Sequence, residues 1–518
     1  MTHKEQQIYR FSEAPIWELQ RSYYEEQGIH AWQSEEVPQY ITSNPIIAVA
    51  YAEIIFGFLQ DRARLGYSAE PITIVELGAG SGRLAFHILK ELCELRDYAG
   101  ISLPSFRYVM SDLAVKNIAY WEQHRSLLPF VQQGVLDFAQ FDAAQDTELH
   151  LTQTNVRIGP SDLKQPLLVI ANYFFDSIPQ ELLYVDENKI YECDVSLEFP
   201  VENEELRTSD KLKQVIPHYH YRRAAAYEQE TYPYYHIIEV YKQKLEDSHV
   251  LFPAVGLDCL ERLSRLSNSG FLLLTADKGD HRLDNWEYSD APKLIHHGSF
   301  SLTANYHAIQ HVFEQKGAET LFTKHHYNHL NVGCILMLQI PKAYANTRLA
   351  YRRFVDHFGP DDFFSIKEWF DKHLIQMEFT QLHAFWRLSG YDAQVFLQSA
   401  KRISDLLSTC GDEEMNDLRK GIYFMWKGFY PMEEKHVLAL DCGTLLYQMD
   451  LFEDALVFYK RYLQVCEGDT DLFYQMAICC YELSIEDAAM DYSLRALALE
   501  PEHDGALALV ELVKSNED

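Results

Sequence analysis

The chain has 518 residues, more than one domain of the usual size, roughly 100–200 residues, would take up. Apolar residues make up 47% and aromatic residues 13%, which supplies sizeable cores and argues against extended disorder. Lys and Arg number 45 against 77 Asp and Glu, a formal charge of −32, which argues against nucleic acid or an anionic membrane as the main partner because both require a positive footprint. Basic protein partners are compatible with that charge, and so is an ordinary acidic protein of the cytoplasm. The nine cysteines (93, 193, 259, 334, 410, 442, 466, 479 and 480) form no CxxC and no framework spacing, so a reducing, cytoplasmic compartment is expected. Cys479 and Cys480 fall in a helical pattern and read as core packing.

The opening stretch MTHKEQQIYRFSEAP carries early acids and no apolar core, so it is expected to be neither a signal nor a transit peptide. Residues 1–70 read as a helical amino-terminal extension. Their most apolar run, Ile46 to Leu59, is short and holds Glu53, which suits a buried helix better than a membrane span. Before it stands Gln39 to Pro45, QYITSNP. Ser43 or Asn44 ahead of Pro45 is a helix start, and the same polar cluster could also close over a ligand.

From Pro71 strands and helices alternate, the pattern of a parallel sheet. PITIVELGAGSGRL reads as a strand (Ile72–Leu77), a glycine turn and the start of a helix (Arg83–Leu95). Gly78, Gly80 and Gly82, with Ala79 among them, allow backbone to approach a ligand, and the helix aims its first N–H groups at the same place. A dinucleotide fingerprint would put its third glycine on Arg83. GxGxG after an acid, here Glu76, is instead similar to the turn of S-adenosylmethionine-dependent methyltransferases, although a strand–helix turn that merely needs small residues has the same look. A second strand, Phe106–Met110, ends in Ser111-Asp112-Leu113. An acid there accepts hydrogen bonds from ribose hydroxyls in nucleotide-binding α/β folds, or caps the helix that follows. A third strand, Phe130–Val135, is expected to lead to Leu136-Asp137-Phe138, where Asp137 would take an adenine amino group and Phe138 cover the ring. Asp142 lies close by.

The fourth strand, from Leu167, runs into Asn172-Tyr-Phe-Phe-Asp176 and stops at Pro179. Ligands sit at strand carboxyl ends, so Asn172, Tyr173 and Asp176 are expected to border the reacting groups, with Asp176 orienting or deprotonating a nucleophile. Residues of about 190–250 form an insertion rich in Tyr and His (His218–Tyr221, Tyr232–His236), read either as a pocket wall that stacks on a cation or as a hairpin with aromatic cross-strand pairs. His325, His326 and His329, with His296 and His297 upstream, have a metal-compatible spacing. Neither Cys nor carboxylate joins them in a recognised pattern, so no metal is expected. Leu330–Ile340 reads as a closing strand. After Pro341 only helical patterns remain. Gly443/Ala477, Ala455/Ala489 and Tyr462/Ala496 are each 34 residues apart, the tetratricopeptide period. Gly421, Phe424, Gly428 and Tyr430 suggest an earlier, degenerate unit.

VELGAGSGRL, the acid after the second strand and IANYFFDSIP together resemble the MidA-like methyltransferase family, which includes the mitochondrial complex I assembly methyltransferase that modifies an arginine. YITSNP, Asp277-Lys278-Gly279 and the Gly298–His307 segment extend the resemblance over roughly residues 20–340. It implies a Rossmann-like class I methyltransferase sheet in an α/β domain and S-adenosylmethionine as cofactor. Glu76, Gly78, Ala79, Gly80 and Gly82 would lie along the methionine part, Asp112 and Leu113 at the ribose, Asp137 at the adenine and Asn172 at both donor and acceptor. Three positions depart from the family: Tyr173 stands for a glutamate, Glu181 near a histidine and Lys278 for a tyrosine. A bidentate carboxylate grip on a guanidinium therefore does not carry over at Tyr173. The expected organisation is an extension (1–70), a methyltransferase domain (71–342) and an all-α tetratricopeptide-like domain (343–518, clearest repeats 436–503). The helical repeats would recruit a protein substrate or partner, neither nucleic acid nor membrane is expected, and there is room for a homodimer. A non-catalytic adaptor and a small-molecule methyltransferase are the alternatives.

Overall fold

The computed structural model describes residues 7–34, 36–67, 69–199, 206–432 and 438–517. The first six residues of the amino-terminal reading, 200–205 of the insertion and 436–437 of the repeats lie outside the described residues. The chain divides into two compact units, Met1–Ile366 and Lys367–Asp518.

In the first unit the strands of the two larger sheets are, in chain order, β1 (Ile72–Leu77), β2 (Phe106–Asp112), β3 (Leu136–Gln140), β4 (Leu167–Asn172), β5 (Glu181–Asp186), β6 (Lys189–Glu198), β7 (Ile216–Arg223), β8 (Ser248–Phe252), β9 (Gly270–Asp277), β10 (Glu319–Leu321) and β11 (Asn331–Leu338). Seven of them make one sheet in the order β10-β11-β9-β4-β1-β2-β3. β3, β2, β1, β4 and β9 run parallel, and β11 lies antiparallel to both β9 and β10. β1 is buried at all six positions, as its unbroken apolar run demands when both faces of a parallel sheet are covered. The strand order reverses between β1 and β4, and this is where open α/β sheets bind ligands.

The flanking helices used below are α1 (Pro15–Gln27), α2 (Pro45–Leu65), α3 (Arg83–Ala99), α4 (Val115–Gln123) and α5 (Tyr306–Gln315). α2 contains the apolar Ile46–Leu59 run and is buried along most of its length. Its start is the one read from QYITSNP: Pro45 sits in the first turn, and the Asn44 side chain accepts the N–H groups of Ile46 (2.9 Å) and Ile47 (3.2 Å). Near its far end the buried Asp61 takes the N–H of Asn346 (3.2 Å) and both the N–H (2.9 Å) and hydroxyl (2.9 Å) of Thr347. That carboxylate holds the next helical segment against α2, and the first compact unit runs on to Ile366.

One expectation changes, and one open choice is decided. The segment 130–135 is not a strand: Pro129 opens the short helix Leu128–Gln132 and Gly134, at φ 72°, ends it, which moves the third strand on to Leu136–Gln140. The Tyr/His-rich insertion is a second, antiparallel sheet in the order β8-β5-β6-β7. There Tyr184 faces Tyr191 across the strands, ring centres 6.0 Å apart, and Tyr221 packs on His249 at 5.8 Å. The hairpin alternative holds, and none of His218–Tyr221 or Tyr232–His236 lines the cavity described below.

The second unit is helical. In it α6 (Leu438–Gln448), α7 (Phe452–Tyr462), α8 (Thr470–Glu482) and α9 (Glu486–Leu499) pack as successive pairs. The 34-residue period is visible in the backbone. Asp450 and Ser484 both adopt left-handed φ (57° and 58°), and Leu451 N–H to Leu446 O (3.0 Å) recurs as Ile485 N–H to Cys480 O (2.8 Å). Small residues are needed at the pair contact: a Cβ on Gly443 would lie 2.5 Å from the Tyr459 ring.

Candidate active site

A cavity of about 620 Å³ opens at the carboxyl ends of β1, β2 and β4, within the roughly 300–1,000 Å³ of small-molecule sites. The glycine turn lines one part of it. Much of the remainder comes from the amino-terminal extension, including Trp17, Gln20, Arg21, Tyr24, Trp32, Thr42 and Ser43.

The glycine turn is fixed by its neighbours on β2 and α4. Ala79 N–H donates to Ser111 O (2.9 Å), Gly80 N–H to Asp112 Oδ2 (3.0 Å), and the Trp121 indole N–H to Gly80 O (3.0 Å). Gly80 has φ 53°, and a Cβ there would lie 2.8 Å from a ring carbon of Trp32. Asp112 Oδ1 accepts Ala114 N–H (2.9 Å), opening α4. A carboxylate has about four acceptor sites, so both Asp112 oxygens keep capacity toward the cavity. Burial raises the Asp112 pKa despite these amides. Glu76, only 3% exposed, accepts the Tyr108 hydroxyl at 2.9 Å, and burial pushes its carboxyl up to about 8.

The second end of the cavity is the turn after β4. Asn172 Oδ1 accepts the Tyr51 hydroxyl (2.7 Å) from α2, and its Nδ2 donates to Thr42 O (3.4 Å). Tyr173 adopts φ 47°, which costs a non-glycine residue about 1–2 kcal/mol. Its N–H donates to Ala276 O on β9 (3.0 Å). The turn buries Phe174 and Phe175 and brings Asp176 to the cavity. Asp176 accepts the Ser177 hydroxyl at 2.7 Å, and its carboxyl lies beside that of Asp277 at the end of β9. Burial raises both carboxyls, and their mutual repulsion raises Asp277 further. Lys278 lies on the same rim.

α1 is fastened at both ends of the cavity. Arg21 donates to Asp142 at 2.6 Å, just beyond β3, and Gln20 Nε2 donates to Ser177 O at 2.8 Å. Tyr24 stacks on Trp32 with ring centres 5.9 Å apart, and its hydroxyl meets Ser299 Oγ at 2.8 Å. His297 lines the same cavity, near Ser301 Oγ (3.1 Å), and burial lowers its pKa.

The structure thus brings Glu76, Gly78, Ala79, Gly80, Asp112, Leu113, Asn172, Tyr173 and Asp176 to one enclosure. Two expected residues are elsewhere. Gly82 does not line the cavity; at φ 78° it caps the start of α3, with its N–H bonded to Ala79 O (2.9 Å). Asp137 lies within β3 rather than past its end. Its carboxylate takes the N–H groups of Phe138 (2.8 Å) and Gln153 (2.9 Å) and the Thr154 hydroxyl (2.6 Å). The acid that does border the cavity beyond β3 is Asp142, beside Phe141. Placing the third strand at 136–140 is the signal that would have selected it. Trp32, Gln20 and Tyr24 had no motif to mark them, because their roles come from the packing of the extension.

The residues fit a cationic nucleoside such as S-adenosylmethionine. The turn at Gly80 leaves no room for a Cβ, Asp112 keeps acceptor capacity, and acids line the cavity from Glu76 to Asp142. A parallel α/β sheet with such a turn at its switch point defines a nucleotide-cofactor enzyme. The model of a family of S-adenosyl-L-methionine-dependent methyltransferases matches residues 57–332, more than half of the chain, and the chain belongs to that family. It is a methyltransferase with S-adenosylmethionine as cofactor.

Among solved structures the chain is similar to an uncharacterised superfamily protein from Burkholderia thailandensis, at 14% identity, TM-score 0.37, covering 61% of this chain and 73% of that one. A candidate methyltransferase from the same organism, bound to S-adenosyl-homocysteine, is 15% identical with TM-score 0.39, covering 61% and 74%. The CurJ carbon methyltransferase is 10% identical with TM-score 0.24, covering 56% and 54%. No curated protein matches the chain.

Proposed function

We propose that the enzyme methylates a nitrogen-bearing side chain of a protein, as the MidA-like resemblance implies, with arginine the first side chain to test, and that it does so in the reducing cytoplasm that its cysteine pattern suits. The supporting observation is the single cavity that joins the glycine turn to the Asn172–Asp176 edge. Donor and acceptor then share one enclosure, and proximity and orientation are most of what methyl transfer needs. Its lining holds six carboxyl groups (Glu13, Glu18, Glu76, Asp112, Asp142 and Asp176) against two cations, Arg21 and Lys278, which favours a cationic acceptor.

S-adenosylmethionine, when bound, supplies the electrophilic methyl group. Gly78, Ala79 and Gly80 admit its methionine part, Glu76 faces the ammonium, Asp112 and Leu113 hold the ribose, and Asp142 with Phe141 serves the adenine. Asn172 and Tyr173 shape the acceptor's approach. Asp176 orients the acceptor and takes its proton. Tyr173 in place of the family glutamate leaves Asp176 as the carboxylate nearest the acceptor. The helical repeats of the second unit, read as tetratricopeptide-like, recruit the protein that is modified.

The test is incubation of the full chain with methyl-labelled S-adenosylmethionine and a cell lysate, followed by amino-acid analysis. Label in protein, released as a methylated basic residue, supports the reading. Label in a small molecule overturns the protein acceptor. Unchanged calorimetric affinity for the cofactor in Asp112→Ala overturns the site assignment.

A further inference from the structure

We propose that Asp277, at the end of β9, is a positioning residue: it keeps the proton of a buried carboxyl pair and so leaves the negative charge on Asp176, which faces the acceptor. This rests on the reading of Asp176 as proton acceptor given above. Asp277 is 0% exposed, and its Oδ2 accepts the Tyr306 hydroxyl from α5 at 2.6 Å. Its Oδ1 is buried and meets no hydrogen-bond donor among the described residues. The amides of Phe174 and Phe175 lie near the carboxyl, yet neither completes a bond to Oδ1. A bare buried carboxylate oxygen is costly, whereas a protonated one that donates to Asp176 is satisfied. Asp176 differs in each respect. It borders the cavity, accepts the Ser177 hydroxyl at 2.7 Å and has the Lys278 ammonium nearby.

Two carboxylates in one dry site do not both ionise. The other titratable groups facing the pair are Tyr24 from α1, Tyr51 from α2, Tyr173 and Tyr306, all phenols that burial keeps neutral. With Lys278 beside Asp176 and none of these phenols charged, the charge settles on Asp176 and the proton on Asp277. In the reaction the acceptor's N–H bond breaks and an O–H bond forms on Asp176. The electron pair of the N–H bond stays on nitrogen as the nucleophilic lone pair.

The test compares Asp277→Asn, which keeps an N–H donor for Asp176, with Asp277→Leu, which removes it. Infrared difference spectra at neutral pH should show a protonated-carboxyl band in the wild type that is missing from Asp277→Asn; Glu76 contributes equally to both and cancels. Asp277→Asn should hold kcat within about threefold. Asp277→Leu should lower kcat by about 100-fold and move its acid limb upward, a loss within the usual span for impaired acid–base catalysis. Affinity for S-adenosyl-homocysteine should stay within about twofold in both variants, since Asp277 does not line the cavity. A band that persists in Asp277→Asn, or equal loss of activity in the two variants, overturns the proposal. Should Asp277→Leu fail to fold, Tyr306→Phe serves instead. A neutral Asp277 predicts kcat within about threefold, and an ionised Asp277, which needs that hydroxyl, predicts a large loss that overturns the proposal. The infrared band requires no substrate, so full activity in Asp176→Asn would remove the proton-acceptor reading while leaving the assignment of the shared proton standing.

Discussion

At the glycine turn the ligand-facing backbone is itself held, the Gly80 amide by a carboxylate and its carbonyl by an indole, whereas at the turn after β4 the polar side chains are held chiefly by other side chains. Asp112 holds the Gly80 and Ala114 amides, and Trp121 holds the Gly80 carbonyl. Across the cavity Asn172 meets Tyr51, Asp176 meets Ser177 and Asp277, and Asp277 meets Tyr306. The first arrangement is set by backbone shape and tolerates no added atoms. The second is set by protonation and can be retuned without moving the chain. The two ends should therefore fail in different ways when altered.

The largest effect is expected from Asp176→Asn. Losing a positioned base costs about 10²–10⁴ in rate, and kcat should fall by that factor while calorimetry finds S-adenosyl-homocysteine bound within about twofold of wild type. A parallel loss of affinity would erase the distinction between the ends. Next comes Gly80→Ala, which acts on binding. Its left-handed backbone costs an L-residue about 1–2 kcal/mol, and the new Cβ would meet Trp32 at 2.8 Å. Cofactor affinity should drop about 10- to 100-fold, at about 1.4 kcal/mol per tenfold. Trp32→Ala in that background should recover part of the loss, because it removes the overlap but not the strain.

Glu76 gives the first end a pH signature of its own. Burial carries its carboxyl from 4.5 to about 8, so between those values the folded chain holds a proton that the unfolded chain has released. Its contribution to stability is complete below pH 4.5 and is lost as the pH rises through about 8. The expected loss is on the order of 3–5 kcal/mol, at about 1.4 kcal/mol per pKa unit. Urea unfolding of the cofactor-free chain at about pH 6 and about pH 8.5 should show about 3 kcal/mol of it, the share that falls above pH 6, and Glu76→Gln should flatten the difference. A slope of opposite sign would mean that Glu76 is already ionised at neutral pH.

The two ends also differed in how far they could be read from the chain alone. β1, its turn and Asp112 were legible because a buried strand, a positive-φ turn and a strand-end acid each leave a local mark. The Asn172–Asp176 edge was legible for a similar reason: polar residues cut short an apolar run. The third strand was not. Phe130 and Val131 look like strand residues, but Pro129 and Gly134 bracket a short helix there, and the strand-end acid was read at Asp137 where the acid that lines the cavity is Asp142. Nor was the pairing of Asp176 with Asp277 visible, since 101 residues separate them and only the parallel pairing of β4 with β9 brings their ends together. Trp32, Gln20 and Tyr24 were hidden for the same reason. An extension's contacts depend on a tertiary packing that no short motif encodes.

The displaced acid supplies the mildest prediction and the sharpest control. Asp137 is 1% exposed, and its carboxylate accepts three backbone amides at 2.8, 2.9 and 3.3 Å and a hydroxyl at 2.6 Å, all from the chain itself. It closes the 137–154 loop and offers nothing to the cavity. Asp137→Asn keeps one acceptor oxygen and loses the charge, so stability should fall by about 1–3 kcal/mol, the range for hydrogen bonds to a charged group. Cofactor affinity should stay within about twofold. Asp142→Asn, at the cavity and paired with Arg21, should differ in one respect: affinity for the cofactor weakens several-fold as well. If Asp137→Asn weakens binding more than Asp142→Asn does, the adenine end lies at Asp137 after all, and the division between a backbone-held cofactor end and a proton-tuned acceptor end has to be redrawn around β3.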